Sequence, residues 1–208
     1  QPASNRAVVI TSVVFSHGMA KHLARHNPCA GLKLKAILGK KKVIREGVSL
    51  SEDQLRTVLS KLPAIGRTNA LAVKIILACA VRKGEMRLAR REHLDLGNGI
   101  WHIPAENSKN GKAIDIPLAP TVAGWFGELL QLGNEWVLPG QNRKGPISAN
   151  TLNASLLRLG EGVPHFTVHD LRRSARTHLG RLGISVVVAE KCLNHGLGGL
   201  IAVYDIGD

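Results

Sequence analysis

The run TNALAVKIILACAV, residues 68–81, constrains this chain more than any other stretch. Its length suits a helix, yet apolar residues stand on every side of it and Lys74 is its only charge. A helix apolar all round has no face to give to water, so it belongs at the centre of a core. It is too short to span a bilayer, which takes about twenty residues, and no longer apolar run occurs elsewhere. The rest of the chain is therefore expected to wrap other elements round this helix.

Several of those elements are legible. In LSEDQL (50–55), Ser51 can cap a helix with Gln54 at its third position, and Leu50 can pack on Leu55 as a hydrophobic staple. Leu55, Val58, Leu59 and Leu62 then line one face until Pro63. From Arg90 to Pro117 the period changes. HLDL, GIWHIPA and KAIDIPL are short β-prone runs parted by Asn98-Gly99 and Asn110-Gly111, the strongest short hairpin signal. Helical patterns return at 119–132, 148–159, 167–182 and 185–193, with a short last segment near 198–205. Upstream, Val8, Val9, Val13, Val14, Met19, Ala20 and Leu23 pattern one amphipathic helix over 4–26, with Pro28 biasing Asn27 out of it. Residues 31–48 read as a basic linker. The expected class is α+β, mostly helical, with a small three-stranded antiparallel sheet.

Charge narrows the partner. The formal net charge is +13, and residues 1–50 hold nine Lys and Arg against the single acid Glu46. Such a balance without a membrane span points to a polyanion. Only 3% of residues are aromatic, which disfavours stacking on unpaired bases and leaves duplex DNA held through its phosphates. Cys29, Cys79 and Cys192 are odd in number and lack metal-ligand spacing, so buried free thiols are expected, as suits a reducing cytoplasm. The start QPASNRAVV carries neither an initiating Met nor a signal-peptide pattern and reads as cut from a longer protein.

The chemistry gathers around HDLRRSARTHLGRLG, residues 169–183. His169 and Arg172, three apart, share a helical face and are expected to project together, away from a stripe of Leu171, Ala175, Leu179 and Leu182. That pair alone is weak evidence; its companions carry the case. Arg82 ends the apolar helix in AVRKGEM, with Glu85 three residues on. Lys109 stands on the rim of the second hairpin, with Lys112 across the same turn as its rival. KCLNHG brings His195, and AVYDIGD brings Tyr204, the only tyrosine. His93, His102, His165 and His178 lack motif support. Arg173, Arg176 and Arg181 are read as meeting DNA backbone or solvent.

This ordered set resembles the tyrosine recombinases, and among them the prophage-type integrases, from Ser51 to Tyr204. The helix upstream is similar to the last helix of that family's core-binding domain. The resemblance implies the family's catalytic fold over 47–208, with 1–46 as the end of the core-binding domain and its linker. It implies a site-specific recombinase that cleaves and rejoins DNA through a covalent 3′-phosphotyrosine, for integration or excision of a prophage or other mobile element. Arg82 and Arg172 would hold the non-bridging oxygens of the scissile phosphate, a task that forked guanidinium groups do better than Lys or His. Tyr204 would be the nucleophile, His169 a proton acceptor or phosphate ligand, and Lys109 the acid that protonates the departing 5′-oxygen. His195 would hydrogen-bond the phosphate, and Glu85 would orient the arginines from behind.

Neither metal nor cofactor is implied. The implied partners are double-stranded DNA at attachment sites, further copies of the chain (a tetramer in the full-length synapse) and DNA-bending accessory proteins, with no membrane. The implied setting is a bacterial cytoplasm, at the nucleoid when on DNA. The glycines of HGLGGL and few apolar anchors suggest that the Tyr204 segment docks only in an assembled complex. Two rival readings are a type IB topoisomerase and a catalytically silent DNA-binding module. LNHG, the small size and the upstream helix favour the integrase.

Overall fold

The apolar run forms helix α3 (Arg67–Cys79), with Ala70, Leu71, Ala72, Val73, Ile75 and Ile76 all buried. Lys74 is half-buried with its ammonium 5.5 Å from the ring of Trp125, and only Ala78, in the last turn, is an exposed apolar residue of the run. The computed structural model describes residues 2–32, 46–132 and 135–195. The chain divides into two units, Gln1–Glu46 and Gly47–Asp208. Among the described residues no helix is long and apolar enough to cross a membrane.

The first unit holds α1 (Pro2–Ala20), shorter than the 4–26 pattern predicts. It stops because His22 turns left-handed (φ 57°) and the amides of Leu23 and Ala24 fold back onto the Gly18 carbonyl. Asn27 then donates to the Ser12 carbonyl and hydroxyl and to the Ser16 hydroxyl. Helix termination here is a local hydrogen-bonding event, settled before Pro28 is reached.

In the second unit, α2 (Glu52–Lys61) starts on the expected capping box. The Gln54 amide donates to Ser51 Oγ, and Gln54 Oε1 accepts the Ser51 amide. After α3 comes the short α4 (Lys83–Arg87), then β1 (Leu94–Asp95), β2 (Ile100–Ile103) and β3 (Ile114–Pro117). The sheet is antiparallel in the order β1-β2-β3, with Trp101 opposite both Leu94 and Ile116. Alternation buries Trp101 and Ile103, and Trp101 meets Phe126 of α5 (Pro120–Leu130) edge-on at 5.1 Å. The first turn is tight round Gly99 (φ 66°). The second is not the short hairpin that Asn110-Gly111 suggests. A 3₁₀ turn at Ala105–Asn107 intervenes, and β3 begins only at Ile114. The Lys109 turn therefore stands off the sheet.

Helices α6 (Thr151–Leu156), α7 (Val168–Arg181) and α8 (Val186–Cys192) complete the described chain. The expected leucine stripe does not anchor α7 along its length. Leu171 is buried, but Leu182 is 76% exposed, and Ala175, Leu179 and Leu182 line an open apolar groove with Leu55, Leu77 and Ala78. Instead α7 buries Asp170 and Ser174. Asp170 accepts from the Val48 amide at 3.0 Å and from the Thr167 amide and hydroxyl at 2.8 Å. Ser174 Oγ accepts from the Leu50 amide and donates to the Asp170 carbonyl, both at 2.8 Å. Polar bonds to the segment that enters this unit, together with buried Leu171, fix this helix.

The cysteines depart in one respect from expectation. Cys29 and Cys79 are partly buried, but Cys192 is exposed on the outer side of α8. Burial pushes the Cys79 thiol up to about 12, so it stays protonated.

Ser174 Oγ is fully buried, so Ser174→Ala leaves the Leu50 amide without a partner and should cost about 2 kcal/mol. Ser51→Ala, at a cap open to water, should cost about 1 kcal/mol. Denaturant unfolding of both variants checks the order; equal losses would contradict the anchoring role of Ser174.

Candidate active site

Arg82 follows the end of α3 by three residues, in extended conformation, and it caps α4. Glu85, 4% exposed, grips it twice. Its Oε2 accepts the Arg82 amide at 2.6 Å and its Oε1 accepts Nη1 at 2.8 Å. The other guanidinium nitrogen, Nη2, lies 3.5 Å from the Asn194 carbonyl. A capping box that uses an arginine fixes both the main chain and the side chain of one residue.

Arg172 of α7 is 4% exposed. Its Nη1 donates to the Ala80 carbonyl and its Nη2 to the Leu193 carbonyl. Ala80 closes α3 in the left-handed region (φ 51°), which turns its carbonyl out of the helix to meet the guanidinium. Burial, and then the charge of Arg82, pull Arg172 down to about 10, so it stays a cation at neutral pH. Two cations thus stand close together, with Glu85 as the counter-charge.

His169 and Arg172 differ from the expected pair. One turn apart on α7, they separate in depth: His169 is exposed and Arg172 lies beneath the surface. Partial desolvation, then Arg173, Arg172 and Arg82, hold His169 below the ordinary histidine value. It is neutral at pH 7 and free to accept a proton or a hydrogen bond.

His195 follows α8. Its Nδ1 meets Glu190 Oε2 at 2.5 Å, and Glu190 Oε1 accepts Arg176 Nε at 2.6 Å. These two partners hold the Glu190 carboxyl below its usual range. Arg176, read from sequence as meeting DNA backbone or solvent, is instead paired with Glu190, and nothing in the sequence pointed to Glu190 because the pairing spans two helices. Lys109 and Lys112 are both exposed on the second turn. Tyr204, like the whole segment near 198–205, lies outside the described residues. His178 bonds the Leu50 carbonyl, and His93 accepts the Arg90 amide, which gives both local structural work. Among the described residues no three His, Cys, Asp or Glu gather as a metal site.

Arg82 and Arg172 are thus tied to the two residues that precede His195 at the end of α8, and His169 lies one turn from Arg172 on α7. Two fixed guanidinium groups beside a neutral imidazole can hold a phosphate and take a proton near it. Cutting the support should show in stability. Glu85→Ala, which strands Arg82 beside Arg172, is expected to cost about 2–3 kcal/mol by denaturant unfolding; Arg82 keeps some contact with water, so the full cost of breaking a buried pair is not reached. Glu85→Gln should cost less, since one acceptor survives.

Comparison with known proteins bears on this arrangement. The chain is 24% identical over 153 residues to the tyrosine recombinase XerA of Thermococcus kodakarensis, covering 71% of this chain and 54% of that one. It is 29% identical over 142 residues to the integrase of Enterobacteria phage P4, covering 60% of this chain and 32% of that one. It spans about half the length of the first and about a third of the second. A lambda integrase tetramer bound to a Holliday junction shares the fold, with a TM-score of 0.69 at 19% identity over 95% of this chain and 57% of that one. The model of the phage integrase family matches residues 49–204, three-quarters of the sequence, and the chain belongs to that family.

Proposed function

We propose that this chain is the catalytic part of a site-specific DNA recombinase, an integrase that cleaves and rejoins duplex DNA through a 3′-phosphotyrosine link. The observation that carries the reading is the pair of guanidinium groups fixed side by side, Arg172 by two main-chain carbonyls and Arg82 by Glu85. The family match that ends at Tyr204 supports it.

The Tyr204 oxygen attacks the scissile phosphorus and gives its proton to neutral His169. The phosphorus–oxygen bond to the 5′ carbon breaks, and Lys109 gives a proton to the departing 5′-oxygen. Arg82 and Arg172 take the charge that develops on the non-bridging oxygens, and His195, steadied by Glu190, lies beside the same phosphate. Rejoining is the reverse with a different 5′-hydroxyl. The unit Gln1–Glu46 is the end of a core-binding domain with its basic linker, and Gly47–Asp208 is the catalytic domain. The partners are double-stranded attachment sites, sister copies in a tetrameric synapse, and DNA-bending proteins. The setting is a bacterial cytoplasm that hosts a prophage or related mobile element.

Nicked duplexes with randomised flanks provide the test. The chain should form a covalent adduct with a subset of them, in EDTA as well as without it, since arginines supply the charge stabilisation. Tyr204→Phe should abolish the adduct and leave duplex affinity unchanged. Undiminished adduct in that variant would remove Tyr204 from its role, and plasmid relaxation without attachment-site exchange would favour a topoisomerase. Binding without adduct by the unaltered chain would favour a silent DNA-binding module.

The pH profile follows from His169. Its folded value is lowered, so the basic form persists below the ordinary value of 6.5. The apparent second-order rate of adduct formation, which reports the free protein, should fall toward acid pH with a midpoint below 6.5. A midpoint above 6.5 would contradict His169 as the acceptor.

A further inference from the structure

The Lys109 turn stands off the sheet, paired to it only as far back as Ile103 and Ile114. A lysine tip on such a loop has many places to be. Yet the turn is tied down, and the tie leads to Asn194. The Asn110 side-chain amide donates to Asn194 Oδ1 at 2.8 Å and to the Asn194 carbonyl at 3.1 Å. The Asn194 amide donates back to Ser108 Oγ at 3.1 Å and, longer, to Asn110 Oδ1 at 3.4 Å. Ser108, itself buried, donates to Asn110 Oδ1 at 2.6 Å, which also accepts the Lys112 amide at 3.2 Å. Two side-chain amides thus face each other across 84 residues of sequence.

The geometry points to Asn194 and Asn110 as a clasp that positions Lys109 as proton donor, an inference that rests on the strand-transferase reading above. Three observations support it. The Asn194 carbonyl that accepts Asn110 is the one 3.5 Å from Arg82 Nη2. The preceding carbonyl, of Leu193, holds Arg172, and the next residue is His195. One short piece of backbone therefore references the lysine turn to both arginines and to the second histidine. Lys109 also lies between the two residues, Ser108 and Asn110, whose side chains bond the Asn194 side chain. Lys112 lies past Gly111 (φ 68°) and is joined only through its amide. The clasp thus selects Lys109 over its rival. Finally, Asn194 has φ 47°. Glycine would adopt that conformation more easily, and asparagine adopts it more readily than other side chains. Asparagine alone combines the turn with an amide that can pair.

The chemistry gives the clasp a specific readout. A proton donor is needed because an alkoxide is a poor leaving group. A duplex with sulfur in place of the bridging 5′-oxygen releases a thiolate, whose acid has a pKa of about 8.5, and needs no donor. Asn194→Gly keeps the backbone turn and removes the amide; Asn110→Ala removes the other half. On the normal duplex, selected from the randomised pool for adduct formation by the unaltered chain, each should slow the adduct about 10- to 100-fold. On the sulfur-bridged version of that duplex each should return to within about 3-fold of the unaltered chain, and the double variant should be no worse than either single one. Lys109→Ala should show a larger loss with the same rescue.

Melting temperature and duplex affinity, measured alongside, should stay near those of the unaltered chain. An Asn194→Gly loss as deep on sulfur as on oxygen would overturn the clasp, and so would no loss on oxygen. If Lys109→Ala is rescued by sulfur and Asn194→Gly is not, the clasp alone falls. If Lys109→Ala is not rescued either, the assignment of the proton donor falls first and takes the clasp with it.

Discussion

A guanidinium group buried in the body of a protein must have its donors met, or it costs several kcal/mol. Arg172 meets that demand with the carbonyls of Ala80 and Leu193, which stand at the ends of two different helices. The arrangement of the second unit follows from this. Helix α3 has to end where its last carbonyl can swing outward, and Ala80 does so by turning left-handed, a conformation that is costly for a residue with a Cβ. The end of α8 has to come to the same place, which brings Asn194 and His195 with it. The apolar centre of α3 supplies the driving force, but the buried cation sets where its neighbours stop.

Helix α7 carries that cation, and hydrogen bonds hold it alongside the buried Leu171. Asp170 and Ser174 close the amides of Val48 and Leu50, so the segment that enters the second unit is bound to the helix that bears His169 and Arg172. Gly47 belongs to the same junction. The Arg173 side chain lies where a Cβ on residue 47 would be, so no larger residue fits unless the arginine moves. The C-terminal half of α7, by contrast, leaves Leu179 and Leu182 in an open groove. The buried hydrogen bonds of α7 are concentrated in the turns nearest Arg172, where a proposed phosphate clamp requires support.

Two carboxylates manage the positive charge. Glu85 pairs with Arg82 from below, while Glu190 joins Arg176 to His195. A set of cations held this way is attractive to a polyanion and still compatible with folding, since each fixed charge has a nearby answer. Lys109 is the exception in kind: its main chain is tethered through Asn110 while its tip remains exposed.

By itself the sequence determined what depends on neighbours along the chain. The all-apolar run of α3, the Ser51 capping box and the alternation that buries Trp101 and Ile103 are local patterns, and each formed as its spacing predicts. The family, too, was legible, because its residue types recur in order. What the tertiary structure decided depends on partners far apart in sequence. The depth that separates His169 from Arg172, the polar anchoring of α7, the exposure of Cys192 and the Glu190–His195 pair all arise from elements that meet only after folding. Asn194 is the clearest case. In KCLNHG it has no neighbour along the chain that would use its side chain, and only a turn 84 residues earlier gives its amide something to hold. Helical and strand periods report which face is apolar, but a hydrogen bond between two loops has no period, so it is decided in three dimensions.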